Sequence, residues 1–494
     1  MAEDDEAVAG PTEDLVVEIG RLQTRIVELQ SENESLRDRI TRLESELGRN
    51  SENSSKPPAH DPVAPRQSRA ERRRAAREAV RGETRRQGKQ PGAPGAHLSR
   101  RQPDDVVPHP PAQCSACGED LAAAEVVGEV RRQVIDIPRV TARTTEHVAE
   151  RRRCSCGHET LGSFPAEARA PVCWGPEVRA LAVYLMDRQH LPAERTAELL
   201  AELLGAPVST GWLWQVQAEA ARSLEPFVSA VKEALASSAV LHADETGTRI
   251  GVRKAWVHTL TSNLLSLLAV HDRRGREAFS DIGVLDRFAG TLVHDGYSSY
   301  DGFENFLHAQ CGAHLLRHLT SVGKTDRFAP WCEEMTKLLL SARDASEAAA
   351  DAGKKKVPAR KATRIRLRYH EILDEAFSLL PPGPPPRLRH RGGWLIVERE
   401  AWNLATRLES GVDDVLRLLD NTAVPLTNNA AERSLRMVKL HDKISGTFRS
   451  NDGARDFATI RSYIQTAAQN GENRLEVLRQ LFTVGPWLPA ACRT

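Results

Sequence analysis

Two aspartates lie in stretches whose apolar residues are typical of β-strands. Asp244 stands in HADET and Asp295 in VHDGY, and each is predicted to end a strand. Carboxylates at the ends of neighbouring strands can meet at one edge of a sheet and share divalent cations, which prefer oxygen ligands. The chain also contains 67 acidic residues, and strand-end aspartates commonly form turns or caps. By themselves, the two residues therefore predict either a metal site or two turns.

Four cysteines form two close pairs. Cys114 and Cys117 stand in CSACG, and Cys154 and Cys156 stand in CSCG, with β-type residues between the pairs. Thiolates on two tight turns fit a tetrahedral zinc ion, and the glycine after each pair permits the turn. The second pair has one intervening residue instead of two, so His158 could replace one thiolate. The pattern predicts a zinc ribbon with one structural Zn²⁺, and ordinary buried cysteines are the alternative.

Length, charge and hydropathy limit the class of protein. A chain of 494 residues predicts roughly two to four folded units. The net charge is only +1, but residues 66–101 hold twelve Arg or Lys against three Glu. A basic arm therefore lies within a chain that is nearly neutral as a whole. No apolar run has the length of a membrane span, and eight cysteines are too few for a disulfide scaffold. We expect a soluble, cytoplasmic protein without a membrane partner.

A leucine repeat occupies the N-terminal segment. Leucines recur every seven residues from Leu15 to Leu43. The residues four positions after them are Ile19, Ile26, Asn33, Ile40 and Leu47. Leu at d with mostly Ile at a favours two parallel strands, and Asn33 at one a position fixes the register. Five unbroken heptads exceed what a helix packed on a globular body needs, so we predict a homodimer through residues 14–47.

A flexible linker and the basic arm follow over residues 48–113. The first part is rich in Ser, Asn and Pro, and the arginine-rich part after it ends in glycines and prolines. Its charges are typical either of a solvated linker or of an arm that binds phosphates, whose affinity would fall steeply with salt. We favour the second interpretation because of the motifs further along the chain.

The stretch LPAERTAELLAELLGAPVSTGWLWQVQAEAA predicts a helix, a turn with glycine and a second helix capped by Ser209 or Thr210. This order is compatible with a helix-turn-helix, whose second helix enters the major groove of DNA. The pattern is weakly specific. An ordinary helical hairpin with Trp212 and Trp214 in the core is the alternative.

Strand patterns begin near residue 239. The four predicted strands are AVLHADET, KAWVHTLTS, LSLLAVHD and GTLVHDGYSS, of which the first three suggest an antiparallel meander. Residues 313–425 are helical and polar and contain the breaker PPGPPP, so they are interpreted as an insertion with an internal linker. The last helices begin near TNNAAERSLRMVKL.

The order of these motifs resembles the insertion sequence 66 transposases. The resemblance runs from about residue 15 to residue 480, through the zipper, the linker, GKQPGAPGAH, the cysteine pairs and HADET. Its most specific strings are DGYSSY, CGAHLLRHL, TNNAAERSLR and FRSNDGARDFATIRSYIQTAAQNG. These multi-residue strings occur in the same order as in the family, which argues against chance agreement.

The resemblance implies a DDE transposase with an α+β, ribonuclease H-like catalytic core. Carried onto this sequence, the three acids are Asp244, Asp295 and Glu432, with Asp244 preferred over its neighbour Glu245. They would hold two Mg²⁺, which activate a water or 3′ hydroxyl and stabilise the leaving oxygen. No covalent protein intermediate is then needed.

Neighbours of the acids are expected to assist. Cys311 and His314, in Cys-x-x-His spacing, could position DNA or brace the site. A second zinc is an alternative, but two ligands are too few, so packing is the preferred interpretation. Asn428 and Asn429 could cap the helix of the third acid, and Arg433 could contact phosphate.

These interpretations define one expected architecture. Its segments are a coiled coil over 14–47, a basic linker over 48–113, a zinc ribbon over 114–170, a helix-turn-helix-like part over 171–235, the first part of the catalytic core over 236–312, a helical insertion over 313–425 and the last part of the core over 426–482. The arm and the helix-turn-helix would bind transposon ends, target DNA would be the second substrate, and accessory proteins of the element and association with the nucleoid are possible.

Three other functions fit parts of the sequence. The first is a zinc-dependent DNA-binding dimer without catalysis, such as a repressor or a decayed transposase. The intact set of three acids argues against a decayed copy. The second is a two-metal nuclease that cuts without joining, and the third is a coiled-coil scaffold, which has no need for the DGYSSY and NNAAER strings.

Overall fold

The computed structural model describes residues 98–138, 140–384 and 396–493, together with Arg25. The chain divides into two compact units, one of residues 46–140 and one of residues 1–45 with 141–494. The predicted coiled coil over 14–47 lies outside the described residues apart from Arg25, and so does most of the predicted basic arm. The predicted ribbon segment over 114–170 extends across the boundary between the two units.

The unit of residues 46–140 contains a tight turn at the first cysteine pair. The N–H of Gly118 donates to the Cys114 carbonyl at 2.9 Å, and the N–H of Cys114 donates to the Glu119 carbonyl at 2.8 Å. Gly118 has a φ of +79°, which residues with a side chain rarely adopt. The glycine permits the turn, as the sequence predicts.

The second cysteine pair lies in the turn of a short hairpin in the other unit. Strand β1 (Arg151–Arg153) pairs antiparallel with β2 (Glu159–Leu161). The N–H of Cys154 donates to the His158 carbonyl at 2.8 Å, and Gly157 has a φ of +89°. Between residues 126 and 150, no described position belongs to a helix or strand, because an alternating pattern forms a strand only where it finds a pairing partner.

A group of helices precedes the sheet. It consists of α1 (Pro176–Val183), a π-helical turn (Tyr184–Arg188), α2 (Ala193–Leu204), α3 (Thr210–Ser223) and α4 (Glu225–Ala236). The predicted helix, turn and helix are therefore present as α2 and α3. The Ser209 hydroxyl caps α3 by accepting the Trp212 N–H at 3.2 Å. Trp212 packs against the core, whereas Trp214 is 45% exposed, so the prediction of a core role for Trp214 is wrong.

The central sheet is mixed and has the order β5-β4-β3-β6-β7. Its strands are β3 (Val240–Ile250), β4 (Arg253–Thr261), β5 (Ser266–His271), β6 (Thr291–His294) and β7 (Leu307–Gln310). The first three form the predicted antiparallel meander, and β6 and β7 add in parallel beside β3. β7 is absent from the four strands that the sequence predicts, because its four residues carry a weak apolar pattern.

Helices cover the sheet and complete its core. Between β5 and β6 lies α5 (Arg276–Ile282). After the insertion follow α12 (Asn429–Ile444), α13 (Asn451–Gln469) and α14 (Arg474–Leu481). One buried apolar cluster joins the inner face of the sheet to α4, α5, α13 and α14. The sheet is therefore held between elements that come before and after it in the chain.

The predicted insertion consists of helices with their own core. Its elements are α6 (Gly312–Val322), α7 (Ala329–Asp351), α8 (Ala359–Ser378), α9 (Ile396–Ser410), α10 (Val412–Val415) and α11 (Arg417–Asp420). Their buried side chains form a second apolar cluster that contains Trp331, Met335 and Tyr369. Among the described residues, no helix is long and apolar enough to cross a membrane.

Candidate active site

Asp244 lies within β3 and not at its end, so the strand-end prediction is wrong. The parallel pairing of β3 with β6 covers only Val240–His242, whereas its antiparallel pairing with β4 continues to Ile250. Asp244 is therefore two residues beyond the last position that pairs with β6. The carboxylate reaches the edge of the parallel pair because β6 stops, while β4 keeps the strand extended.

Asp295 directly follows β6, as predicted. One oxygen of its carboxylate accepts the Tyr297 N–H at 2.9 Å, and the Arg407 guanidinium donates to its backbone carbonyl at 2.7 Å. Gly296 has a φ of +81°, and a Cβ atom there would collide with the Arg407 guanidinium. Glycine thus permits both the sharp turn after β6 and the approach of an arginine from α9.

Glu432 lies in the first turn of α12 and is partly buried. Asn428 is the residue before this helix, but its side chain does not cap it, so the predicted capping role is wrong. Instead, the amide of Asn428 donates to the Ala243 carbonyl at 2.7 Å, and its oxygen lies 3.0 Å from Nδ1 of His242. Asn428 is fully buried and therefore fastens the start of α12 to β3 beside Asp244.

The three acids interact although they are far apart in sequence. Burial, together with the negative charges of Glu245, Asp295 and Glu432, raises the pKa of Asp244 to about 8. One Asp244 oxygen accepts the Glu245 N–H at 2.9 Å, which opposes the shift. The structure thus brings together the three acids that the resemblance implies, in surroundings that disfavour several bare negative charges.

Glu245 has other partners. Its carboxylate accepts a hydrogen bond from Nε of Arg274 at 2.8 Å and another from the hydroxyl of Tyr300 at 2.8 Å. The Arg274 guanidinium also lies over the Tyr297 ring, 4.0 Å from its centre. Both oxygens of Glu245 are thereby used, which agrees with the choice of Asp244 as the first acid.

Cys311 and His314 lie beside the third acid. Cys311 is fully buried directly before α6, and its sulfur accepts the Asn428 N–H at 3.2 Å. Nδ1 of His314 lies 3.9 Å from the Glu432 carboxylate. The sequence predicted that both residues position DNA or brace the site, and their contacts with Asn428 and Glu432 agree with the second role.

Sequence reasoning missed several contributors. Arg407 and Arg317 come from the insertion, and Arg317 lies 3.8 Å from the Glu432 carboxylate. No local pattern marks Arg407. Arg317 belongs to CGAHLLRHL and Tyr300 to DGYSSY, and the specificity of these two strings could have directed attention to both residues.

The cysteine pairs occur in similar turns in separate units. Backbone hydrogen bonds, with those of Ala116 the largest, lower the pKa of Cys114, and those of Cys156 lower the pKa of Cys154. Thiols that lose their protons more readily are better zinc ligands. Each turn is therefore chemically suited to a zinc site.

Comparison with known proteins gives the family of the chain. The profile of the Transposase IS66 family matches residues 171–456, more than half of the chain and a range that includes all three acids. A zinc-finger binding domain of transposase IS66 matches residues 111–157, a range that includes all four paired cysteines. Residues 6–99 match a family of unknown function.

A relative comes from Sinorhizobium fredii (strain NBRC 101917 / NGR234). This protein, the uncharacterized protein y4hP, is 24% identical to the chain over 418 residues, which cover 74% of this chain and 70% of the relative. The resemblance inferred from the motifs is confirmed by the two transposase profiles. The chain belongs to the IS66 family of transposases, with that family's zinc-finger domain for binding DNA.

Proposed function

We propose that this transposase cleaves DNA at the ends of its insertion sequence and joins the freed strands to target DNA, with Asp244, Asp295 and Glu432 as the ligands of two Mg²⁺. The sheet that carries the first two acids would be a ribonuclease H-like core, and residues 313–425 would be the insertion before the third. The sheet order and the separate core of the inserted helices support this division.

The observation that carries the proposal is the meeting of Asp244 in β3, Asp295 after β6 and Glu432 on α12, which is reflected in the pKa of Asp244. Burial and three neighbouring carboxylates raise it to about 8. Buried like charges destabilise one another unless protons or cations neutralise them. Carboxylates from β3, the end of β6 and α12 therefore supply the hard oxygen donors that Mg²⁺ prefers.

The residues present fit the proposed ions. When bound, two Mg²⁺ would make the attacking hydroxyl more acidic and stabilise the leaving oxygen. Asp244 and Asp295 are held in place by backbone N–H groups of Glu245 and Tyr297, and each keeps a second carboxylate oxygen. Asn428 fixes the helix that carries Glu432.

Positive side chains near the acids suit a phosphate backbone. Arg317 lies 3.8 Å from Glu432 and is 42% exposed, and Arg433 on α12 is exposed. Both can therefore turn to DNA phosphates without leaving a buried charge unpaired.

Recognition of the ends is assigned to the zinc finger and the basic arm. We infer a structural Zn²⁺ on Cys114, Cys117, Cys154 and Cys156, which the zinc-finger match supports. Helices α2 and α3 together carry four Glu and two Arg, so their charges do not favour phosphate. The proposed dimer through residues 14–47 would hold two ends together.

The test compares Mg²⁺-dependent nicking and joining of end-sequence DNA by the wild type and by Asp295→Asn. Loss of a metal ligand is expected to lower both activities by more than about 100-fold, whereas binding to the ends is retained. Asp326→Asn is the matched control, because Asp326 is an exposed aspartate outside the sheet.

The outcomes separate the candidate functions. Equal activity in Asp295→Asn would reject the set of three acids. End binding without nicking by the wild type would favour a DNA-binding protein without catalysis. Nicking without joining would favour the two-metal nuclease.

A further inference from the structure

A second group of potential metal ligands lies at the edge of the proposed catalytic site. The sulfur of Cys311, a ring nitrogen of His314 and a carboxylate oxygen of Glu432 all lie within 4.8 Å of one another. Cys311 and His314 come from the start of α6, and Glu432 comes from the first turn of α12. Two segments that are distant in sequence therefore bring a sulfur, a nitrogen and an oxygen ligand to one point.

We propose that Cys311, His314 and Glu432 form a site for a soft divalent cation of the zinc class, separate from the zinc finger. Thiolate and imidazole ligands select zinc over magnesium, which prefers oxygen alone. Three protein ligands would leave a fourth tetrahedral position for water or a substrate oxygen. The inference rests on the proposed function only in the role given to Glu432.

The hydrogen bonds around the site support a metal rather than simple packing. Nδ1 of His314 is buried and has no hydrogen-bond partner among the described residues, although the Glu432 carboxylate is 3.9 Å away. A buried polar atom without a partner costs free energy, and a bond to a metal would remove this cost. The Asn428 N–H already donates to the Cys311 sulfur at 3.2 Å and so helps to hold this sulfur beside Glu432.

Cys332 provides a comparison with Cys311, because its surroundings indicate a packing role alone. It is also buried, but it belongs to the apolar cluster of the insertion, among side chains such as Leu319 and Trp331. Cys311, in contrast, has an imidazole and a carboxylate beside its sulfur. Binding would form a sulfur–metal bond at Cys311 and release the thiol proton to solvent.

Sharing of Glu432 has a consequence for catalysis. A carboxylate that is bound to a zinc ion beside Cys311 is withdrawn from the ions proposed on Asp244 and Asp295. Zn²⁺ at this site is therefore expected to weaken Mg²⁺ binding and to inhibit strand cleavage.

Cobalt provides the direct test, because Co²⁺ replaces Zn²⁺ and gives a sulfur-to-cobalt absorption band. The full chain is titrated with Co²⁺, both with its zinc finger intact and with Cys114, Cys117, Cys154 and Cys156 changed to serine. In the second variant, the remaining band is expected to disappear on Cys311→Ser. His314→Gln is expected to weaken Co²⁺ binding by at least about tenfold.

Two controls keep the result interpretable. Cys311→Ser retains an acceptor for the Asn428 N–H, so its melting curve should match that of the wild type. Cys332→Ser removes a buried thiol elsewhere and should leave the band unchanged. Identical cobalt titrations of the wild type and Cys311→Ser would overturn the inference.

The inference and the proposed function fail independently. Asp244→Asn and Asp295→Asn should keep the Cys311-dependent band while they lose nicking. A Cys311-dependent band in a wild type that does not nick would reject only the catalytic proposal. Nicking by a wild type without this band would reject only the soft-metal site.

Discussion

Asp187 is a buried carboxyl in the helical part of the chain. It lies in the π-helical turn on the wall of a cavity of about 430 Å³. One oxygen accepts the Gln217 amide at 2.6 Å, and the other has no hydrogen-bond partner among the described residues. Burial raises the pKa of Asp187 to about 8, although Gln217 and Arg461 oppose the shift. The side chain is therefore mostly protonated at neutral pH.

This carboxyl predicts a pH dependence of stability. An unfolded Asp187 loses its proton near its ordinary pKa of 3.8, whereas the folded one keeps it up to about pH 8. Between these values the folded state binds one proton more, so the free energy of unfolding falls as pH rises, by about 1.4 kcal/mol per pH unit. The asparagine of Asp187→Asn does not ionise, so this fall in the free energy of unfolding is absent from the variant. The free energy of unfolding of Asp187→Asn relative to that of the wild type should therefore increase with pH.

Urea unfolding of the wild type and Asp187→Asn at several pH values between about 5 and 8 measures this effect. Asp326→Asn, an exposed aspartate, provides the control and should show a constant difference from the wild type. A difference between wild type and Asp187→Asn that does not change with pH would contradict the prediction.

Gly296 carries a second prediction at the scale of single residues. Gly296→Ala combines an unfavourable φ of +81° with a collision against Arg407, so the free energy of unfolding should fall by about 1 to 3 kcal/mol. Nicking should fall as well, because Arg407 holds the backbone of Asp295.

Gly446→Ala separates the two effects of the Gly296 substitution. Gly446 has a φ of +79° but open space where the Cβ would lie, so only the strain of about 1 kcal/mol is expected, with nicking unchanged. If both variants lose the same stability and activity, the contact with Arg407 has no role.

At the scale of elements, the fastening of α12 to β3 determines where the third acid lies. Lys439 and Asp442 on α12 bond to Gly247 and Thr248 of β3, and Asn428 bonds to Ala243. These contacts are distributed along β3 from Ala243 to Thr248, so they hold α12 against the strand at several points. Asn428 is the one beside Asp244, so it affects the distance between the first and third acids most directly.

Asn428→Ala should lower the free energy of unfolding by about 1 to 3 kcal/mol, because the buried Ala243 carbonyl and His242 lose their partner. It should also reduce the increase in melting temperature that Mg²⁺ produces in the wild type. Asn429→Ala, at the exposed neighbouring position, should change the free energy of unfolding by no more than about 0.5 kcal/mol and should keep the wild-type increase in melting temperature with Mg²⁺. An unchanged response to Mg²⁺ in Asn428→Ala would contradict the positioning role.

Local patterns predicted the order of elements better than their contacts. The meander, the helix-turn-helix order and the carboxylate after β6 follow from periodicity within short windows. The predicted end of β3 was wrong because pairing with β4, and not the sequence of β3 itself, determines how far the strand extends. Arg407 was missed because it reaches Asp295 from 112 residues away, and no local pattern records such a contact.

At the scale of the whole molecule, the insertion is both a separate core and a part of the site. Its helices pack around their own apolar cluster, yet Arg407 contacts Asp295 and Arg317 faces Glu432. The insertion therefore does more than separate the second and third acids in sequence. It supplies Arg407, a positive charge that lies outside the family motifs around the acids.

Dimer formation through the leucine repeat is the prediction that concerns the assembled protein. Leu29 occupies a d position of the repeat, whereas Ser31 occupies an outward f position. Leu29→Lys would bring two like charges together in the apolar seam of a parallel pair, so the dimer should dissociate. Ser31→Lys introduces the same residue on the solvent side and should leave the dimer intact.

Sedimentation equilibrium of both variants and the wild type tests this prediction at one protein concentration. A monomer mass for Leu29→Lys beside a dimer mass for Ser31→Lys is expected. If the repeat also holds two DNA ends together, Leu29→Lys should still nick single ends but lose concerted joining of paired ends. An unchanged mass in Leu29→Lys would show that other residues join the protomers.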